Sequence, residues 1–327
     1  MGKLVVCYRD GGLVCWGELL GKAPRLAEDI IEVAPFVTEA KTTAEIITAF
    51  DKGALATRPA MQISAEQLLS PVTADGTIFA QGLNYGSHAA EAQHAKRTSN
   101  LIFCKASSSI TGPYGNIVRP AEVQLLDYEV EFGIVLRKDL REGDGVTDQT
   151  VGDAVAGIVL CNDVSARDTM FGTTFLQWYR GKSYRTFCPV GPALWLLDRD
   201  EVRDALLNLE INLWVNGEPR QSGISEQLIW KPAETLAYIA STIDMHRGDL
   251  LLTGTPGGVT APATPRMVEI LKNRLLADEL RRDELRAEMT MGRRFLRQGD
   301  IVTATLTDRR GRNLGGIANK IVDAPGV

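Results

Sequence analysis

Asp127-Tyr128-Glu129-Val130-Glu131 sets three carboxylates at alternate positions, and an apolar run from Phe132 to Leu136 follows them. In a β-strand alternate side chains share a face, so the pattern predicts Asp127, Glu129 and Glu131 on one side of a strand. Carboxylates roughly 6–7 Å apart repel one another. Two arrangements relieve this: an edge strand whose acidic face is solvated, or a bound divalent cation. A second apolar run, Gly157–Cys161, passes through Asn162 to deliver Asp163 at its end. With Glu129 and Glu131, Asp163 would complete an all-oxygen donor set suited to Mg²⁺, Mn²⁺ or Ca²⁺ and unlike the nitrogen and sulfur ligands of zinc.

Three further groups could work beside such a site. His88 and Glu91 are three apart, so on a helix they share a face. A carboxylate that holds one imidazole nitrogen fixes the tautomer and raises the basicity of the other, which poises a general base; the same spacing also fits a surface pair. His94 and His246 are the remaining histidines and read as incidental, which excludes a histidine-rich metal centre. Lys182 lies in Gly181-Lys182-Ser183, between Trp178-Tyr179 and Pro189-Val190-Gly191-Pro192. It is either an ordinary surface lysine or a cation that stabilises developing negative charge or pairs with a substrate carboxylate. In Thr253-Gly254-Thr255-Pro256-Gly257-Gly258 the glycines permit close backbone approach, and the hydroxyls and N–H groups suit an anionic group. The lysine of a phosphate-binding P-loop is absent there.

These residues need elements to position them. Residues 1–74 read as a small N-terminal unit: two strands, Lys3–Arg9 and Leu13–Leu20, joined by Asp10-Gly11-Gly12, then a helix near Thr43–Gly53 with Ile46, Ile47 and Phe50 at helical spacing. From Ile78 onward short apolar runs dominate, at 78–81, 100–105, 129–136, 155–161, 193–197, 209–215, 250–253 and 301–306. Asn216-Gly217 closes a hairpin, and Lys231-Pro232-Ala233-Glu234 opens a helix. The absence of regular strand–helix alternation predicts a β-rich α+β fold in a main domain, 75–327. Residues 265–297 break that texture: rich in Leu, Arg, Glu and Ala, they predict one long helix or two with a charged face. Such an insertion would add packing, a subunit contact or a gate to the site.

Composition narrows the classes. The 327 residues, 44% hydrophobic and 24% charged, suit an ordinary globular chain with one large domain and something extra. A net charge of −5 without a dense basic cluster points away from nucleic acid and anionic membranes. No apolar run nears the ~18 residues that span a bilayer, and the opening Met1–Asp10 reads as a strand, not a signal peptide. Five cysteines without CxxC spacing predict reduced thiols in a cytoplasmic protein, with Cys161 and Cys188 in the core.

In order along the chain, Gly82-Leu83-Asn84-Tyr85 with His88 and Glu91, Asp127–Glu131, Asn162–Asp168, Gly181-Lys182-Ser183, Gly191-Pro192, Val215-Asn216-Gly217, and Gly248-Asp249 with Thr253–Pro256 form a recognisable series. The chain resembles the fumarylacetoacetate hydrolase family over about residues 75–325. The resemblance implies a mixed β-roll catalytic domain, a homodimer, and a Mg²⁺ or Mn²⁺ site at Glu129, Glu131 and Asp163. It implies His88 and Glu91 as a water-activating dyad and Lys182 beside an oxyanion or enolate. Thr255, Gly254, Tyr85 and Arg167 would meet the substrate, and Asp127 would be a structural or outer-shell acid. Family members act on 2-oxo and 2,4-dioxo acids by C–C hydrolysis, decarboxylation or isomerisation. The leading expectation is metal-dependent C–C hydrolysis of a β-diketo acid. Decarboxylation or keto–enol isomerisation at the same site is the alternative, and a metal-binding scaffold without turnover the third. The chain departs from the family at Thr169-Met170-Phe171, where a glutamine often stands and which Gln177 could replace only if its loop folds back, and in the length of Pro265–Arg297.

Overall fold

The computed structural model describes residues 2–86, 99–261 and 263–325. Near the N-terminus, β1 (Lys3–Asp10) and β2 (Leu13–Leu20) form a hairpin, followed by β3 (Ile30–Pro35), a helix at Thr43–Asp51, β4 (Met61–Ser64) and β5 (Leu68–Leu69). The helix begins as its sequence dictates. Thr42 caps the N–H of Glu45, and Glu45 returns the bond to the cap backbone. The central strands are β6 (Ile78–Gly82), β7 (Leu101–Lys105), β8 (Ile110–Thr111), β9 (Ile117–Arg119), β10 (Leu126–Asp127), β11 (Val130–Leu136), β12 (Val155–Asn162), β13 (Ser165–Ala166) and β14 (Cys188–Leu196). Short helices at Arg167–Phe171 and Trp178–Lys182 lie between β13 and β14. The remainder comprises a helix at Arg199–Leu207, β15 (Leu209–Val215), β16 (Glu218–Ile224), a helix at Pro232–Ala240 that opens at the expected Lys231-Pro232 step, β17 (Leu250–Leu252), helices at Pro265–Lys272 and Asp278–Thr290, β18 (Ile301–Asp308) and β19 (Arg312–Asp323). The 265–297 segment is thus two helices.

The strands make a twelve-stranded sheet in the order β4-β3-β2-β1-β14-β12-β11-β17-β6-β7, with β5 on β1 and β8 on β14, and a five-stranded sheet β16-β15-β18-β19-β9. The fold is strand-rich α+β. β1 pairs with β14 from Lys3↔Leu196 to Val5↔Leu194, so hydrogen bonds run unbroken from the N-terminal strands into the main sheet. The Thr43–Asp51 helix buries Ile46 and Ile47 in a cluster that includes Val135, Val159 and Leu250.

β11 explains why the site is where it is. Phe132, Ile134 and Leu136 enter the larger core, shared with Ile211 and Leu213 of β15 and Val302 and Leu306 of β18. Val135, on the opposite face, enters the cluster that also holds Ile46 and Cys161. With apolar partners on both faces the strand reads as an unbroken hydrophobic run instead of an alternation. β11 lies between β12 and β17, so the solvated edge strand is excluded: Glu131 is 1% exposed. Among the described residues no helix is long and apolar enough to cross a membrane.

One buried arginine ties the N-terminal helix to this sheet. Arg137, at the end of β11, donates to the carbonyls of Gly152, Val155 and Leu197 and pairs with Asp51. Arg137→Ala would leave these acceptors facing an apolar cavity. We expect a loss of about 3 kcal/mol in unfolding free energy by chemical denaturation; a loss under about 1 kcal/mol would show that water replaces the guanidinium.

Candidate active site

The acidic stretch is divided between two strands. Asp127 closes β10, which pairs with β13, whereas β11 begins at Val130 and pairs with β12 and β17. The backbone between them is held from three sides. The Glu129 N–H donates to Asn162 Oδ1 (2.9 Å), the Asp163 N–H donates to the Glu129 carbonyl (2.8 Å), and the Val130 N–H donates to Gln221 Oε1 (2.9 Å). The expectation of three acids on one strand face is therefore corrected, because the chain leaves strand geometry at Tyr128–Glu129. Asp127 turns instead to Arg167 and to the N–H groups of Tyr128, Thr260 and Ala261.

Glu129, Glu131 and Asp163 do converge: oxygens of the three lie within 4.8 Å of one another, and all three residues are buried. Three cations bracket them. Lys182 Nζ donates to Glu129 Oε2 (2.9 Å), Ser165 Oγ (3.0 Å) and Asp163 Oδ2. Lys105 Nζ donates to Asp163 Oδ1 (2.5 Å) and the Phe187 carbonyl (3.1 Å). Arg167 spans Asp127 Oδ2 (2.9 Å) and Glu129 Oε1 (2.6 Å). Among the described residues, four carboxylates, counting Asp127, thus face three cations.

The electrostatics follow from burial and proximity. Burial, then the charges of Asp163 and Glu129, push the Glu131 carboxyl well above the ordinary carboxylate range. Burial alone would lower the Lys182 ammonium, yet Asp163 and Glu129 outweigh it and raise its pKa. Burial likewise opposes the Arg167 charge, and Glu129 and Asp127 overcome it. A carboxylate strained by like-charged neighbours is one that a nearby cation relieves. An oxygen-only, buried, crowded trio therefore fits a divalent ion such as Mg²⁺ or Mn²⁺.

The expected substrate contacts fall into two groups. Gly254 donates its N–H to Glu131 Oε2 (2.6 Å) and sits at φ +96° with no room for a side chain, since a Cβ would lie 2.7 Å from Asn84 Cβ. The Thr255 hydroxyl donates to the Val130 carbonyl (2.9 Å) and accepts from Gln221 Nε2 (2.8 Å). Both residues are engaged in shaping the carboxylate cradle. Tyr85 is fully buried, and its hydroxyl has no hydrogen-bond partner among the described residues. Burial, with a smaller contribution from Glu131, raises its pKa. Asn84 fixes the turn before it by donating to Gln81 Oε1, the Trp230 carbonyl and the Thr253 carbonyl.

His88 and Glu91 lie outside the described residues. Met170 is buried and packs on Gly181, where a Cβ would fall 2.3 Å from its Cγ. Gln177 is exposed and donates to the Phe175 carbonyl, so its loop does not fold back to the carboxylates. His246 and all five free cysteines are apart from the acid cradle's ion pairs; Cys161 and Cys188 are in the core. Sequence reasoning missed Lys105 and Gln221. The first carried only the signal of a lysine closing an apolar strand, and the second only that of an amide on a polar one.

Two packed sheets, with a carboxylate trio where one strand starts and another ends, define a class of fold and site that the comparisons identify. Residues 77–322 match the family described as fumarylacetoacetate (FAA) hydrolase, C-terminal. The chain belongs to the fumarylacetoacetate hydrolase family. It is 36% identical over 250 residues to the mitochondrial oxaloacetate tautomerase FAHD2A of Bos taurus, covering 76% of this chain and 74% of that protein. It is 40% identical over 200 residues to the 2,4-didehydro-3-deoxy-L-rhamnonate hydrolase of Sphingomonas sp. (strain SKA58), covering 61% and 67%. Among solved structures, a fumarylacetoacetate hydrolase from Exiguobacterium antarcticum superposes with a TM-score of 0.72 at 24% identity, covering 99% of this chain and 100% of that one. At that identity the likeness shows the fold.

Arg167 carries a distinct expectation. Arg167→Lys keeps the charge but cannot span Asp127 and Glu129 together. It should destabilise the protein by about 2 kcal/mol in thermal or chemical melts, and a variant as stable as the parent would mean that one contact suffices.

Proposed function

We propose that this chain is a divalent-metal-dependent enzyme that stabilises the enol or enolate of a 2-oxo acid, with keto–enol isomerisation of a 2-oxo diacid as its reaction. The observation that carries this reading is the convergence of buried Glu129, Glu131 and Asp163 beside the protonated Lys182. A divalent ion held by those three residues would supply a Lewis acid for the 2-oxo group.

The chain's own residues supply the rest. Lys182 sets a positive charge next to the place where an enolate oxygen gathers charge, and the dry surroundings strengthen its effect. Tyr85 keeps its proton, and its hydroxyl is available to donate to a substrate oxygen. Lys105 holds the far oxygen of Asp163 and Arg167 the far oxygen of Glu129, so both carboxylates are fixed in orientation. His88, which its spacing from Glu91 marks as a general base, would carry the proton between carbon 3 and the 2-oxygen: from carbon 3 to the oxygen in enolisation, and from the enol O–H to carbon 3 in ketonisation. The likeness to an oxaloacetate tautomerase over three quarters of each chain supports isomerisation as the outcome.

C–C hydrolysis of a 2,4-dioxo acid is the second reading. The Sphingomonas hydrolase favours it, as does the His88–Glu91 spacing, because the same base could take a proton from water.

The two are separable. Enol-oxaloacetate and a panel of acylpyruvates should be offered to chelator-stripped protein with and without Mn²⁺, following loss of the enol absorbance. We expect Mn²⁺-dependent ketonisation of the enol, abolished with Asp163→Asn, whose Mn²⁺ affinity should fall at least about ten-fold. Cleavage products with ¹⁸O from labelled water in the released carboxylate would establish hydrolysis instead. Full turnover in chelator would overturn both.

A further inference from the structure

The Asp278–Thr290 helix carries two stripes at a spacing of four. Arg281, Leu285 and Met289 are buried; Leu285 and Met289 pack with Met267, Ile270 and Leu125, and Arg281 donates to the carbonyls of Ile270 and Asn273 that end the preceding helix. About 100° round the helix, Asp278, Arg282 and Arg286 meet the segment that bears Arg167. Asp278 accepts from the N–H and hydroxyl of Thr174 (2.9 and 3.1 Å). The stem of Arg282 covers Gly172, where a Cβ would lie 2.4 Å from Arg282 Cγ. Arg286 Nη2 donates to Asp168 Oδ2 (3.0 Å) and to the Glu122 carbonyl (2.9 Å).

Asp168 Oδ2 also accepts the Gln124 N–H (2.8 Å), and the Arg167 N–H donates to the Leu125 carbonyl (2.9 Å). Arg286 therefore clamps two chain segments together at the point where Arg167 reaches across to Asp127 and Glu129. The helical pair also frames Asp127 at both of its ends: Thr260 and Ala261 donate to the Asp127 carboxylate before the helices, and the Leu296 N–H donates to the Leu126 carbonyl after them.

We propose that Arg286 is a positioning residue: through Asp168 it sets Arg167, and through Arg167 it sets the Glu129 carboxylate that would help hold a divalent ion. The metal half of this inference rests on the proposed reading of Glu129, Glu131 and Asp163 as ligands; the clamp itself does not.

The experiment uses the full chain as Arg286→Ala, Arg286→Lys and Arg266→Ala. Arg266 pairs with Glu269 and Glu284 within the same helical pair, whereas Asp168 pairs with Arg286, so Arg266 controls for general loosening. Mn²⁺ affinity is read by electron paramagnetic resonance titration, and hydrogen–deuterium exchange is followed in peptides over 122–131 and 163–172. Arg286→Ala should weaken Mn²⁺ binding about ten-fold and speed exchange in those two peptides. Arg286→Lys should recover part of both, and Arg266→Ala should match the parent. Unchanged exchange in Arg286→Ala overturns the clamp, whether or not affinity moves, and so does an equal loss in Arg266→Ala. A parent protein that takes up no Mn²⁺ overturns the metal reading, and the exchange data then decide the clamp on their own.

Discussion

Burying several carboxylates within a few ångströms of one another is the constraint on which the rest of this structure depends. An isolated buried charge is costly enough that such groups are paired, hydrogen-bonded or neutralised. Here the neutralising groups come from separate stretches of chain. Lys105 closes β7, Arg167 opens a short helix after β13, and Lys182 closes the next one. Each must arrive at a fixed place, so the acid cluster dictates where those elements end. The apolar cores on both faces of β11 and β12 supply the rigidity that holds the backbone of Glu131 and Asn162 in register.

Within the cluster the tasks are divided. At one end Asp127 is saturated by a guanidinium and three backbone N–H groups, which makes it a structural anchor. At the other, Glu131 receives the Gly254 N–H and the pressure of two like charges, which leaves it in want of a cation. Glu129 joins the two ends, sharing Arg167 with Asp127 and Lys182 with Asp163. The named relatives include a tautomerase and a hydrolase, and the enolate-stabilising centre proposed above would serve either reaction.

The helical pair at 265–290 is attached to the acid cluster and not merely to the surface. Its buried stripe packs on Leu125, and its polar stripe holds the short helix at Arg167–Phe171 and the Gly172 that ends it. A charged helix face that would ordinarily be solvated is here partly turned inward, with Arg281 buried against the end of its neighbour.

By itself the sequence determined the elements whose cues are local. The apolar runs at 129–136 and 155–161, the helix near Thr43–Gly53, and the Asn216-Gly217 turn, whose two residues are both at positive φ, all depend on near neighbours. The order of motifs determined the family and with it the grouping of Glu129, Glu131 and Asp163. Tertiary structure alone decided what depends on distant partners. Asp127 shares its periodicity with Glu129 and Glu131, and only the pairing of β10 with β13 removes it from their strand. Lys105 meets Asp163 across 58 residues, and Gln221 meets Val130 across 91, so no spacing in either segment announces the contact. β19 was hidden for a related reason: Gly315-Gly316 interrupts its alternation, and its partners β18 and β9 establish it as a strand. Local propensity selects elements, but the balance of buried charge is settled among residues that only the fold brings together.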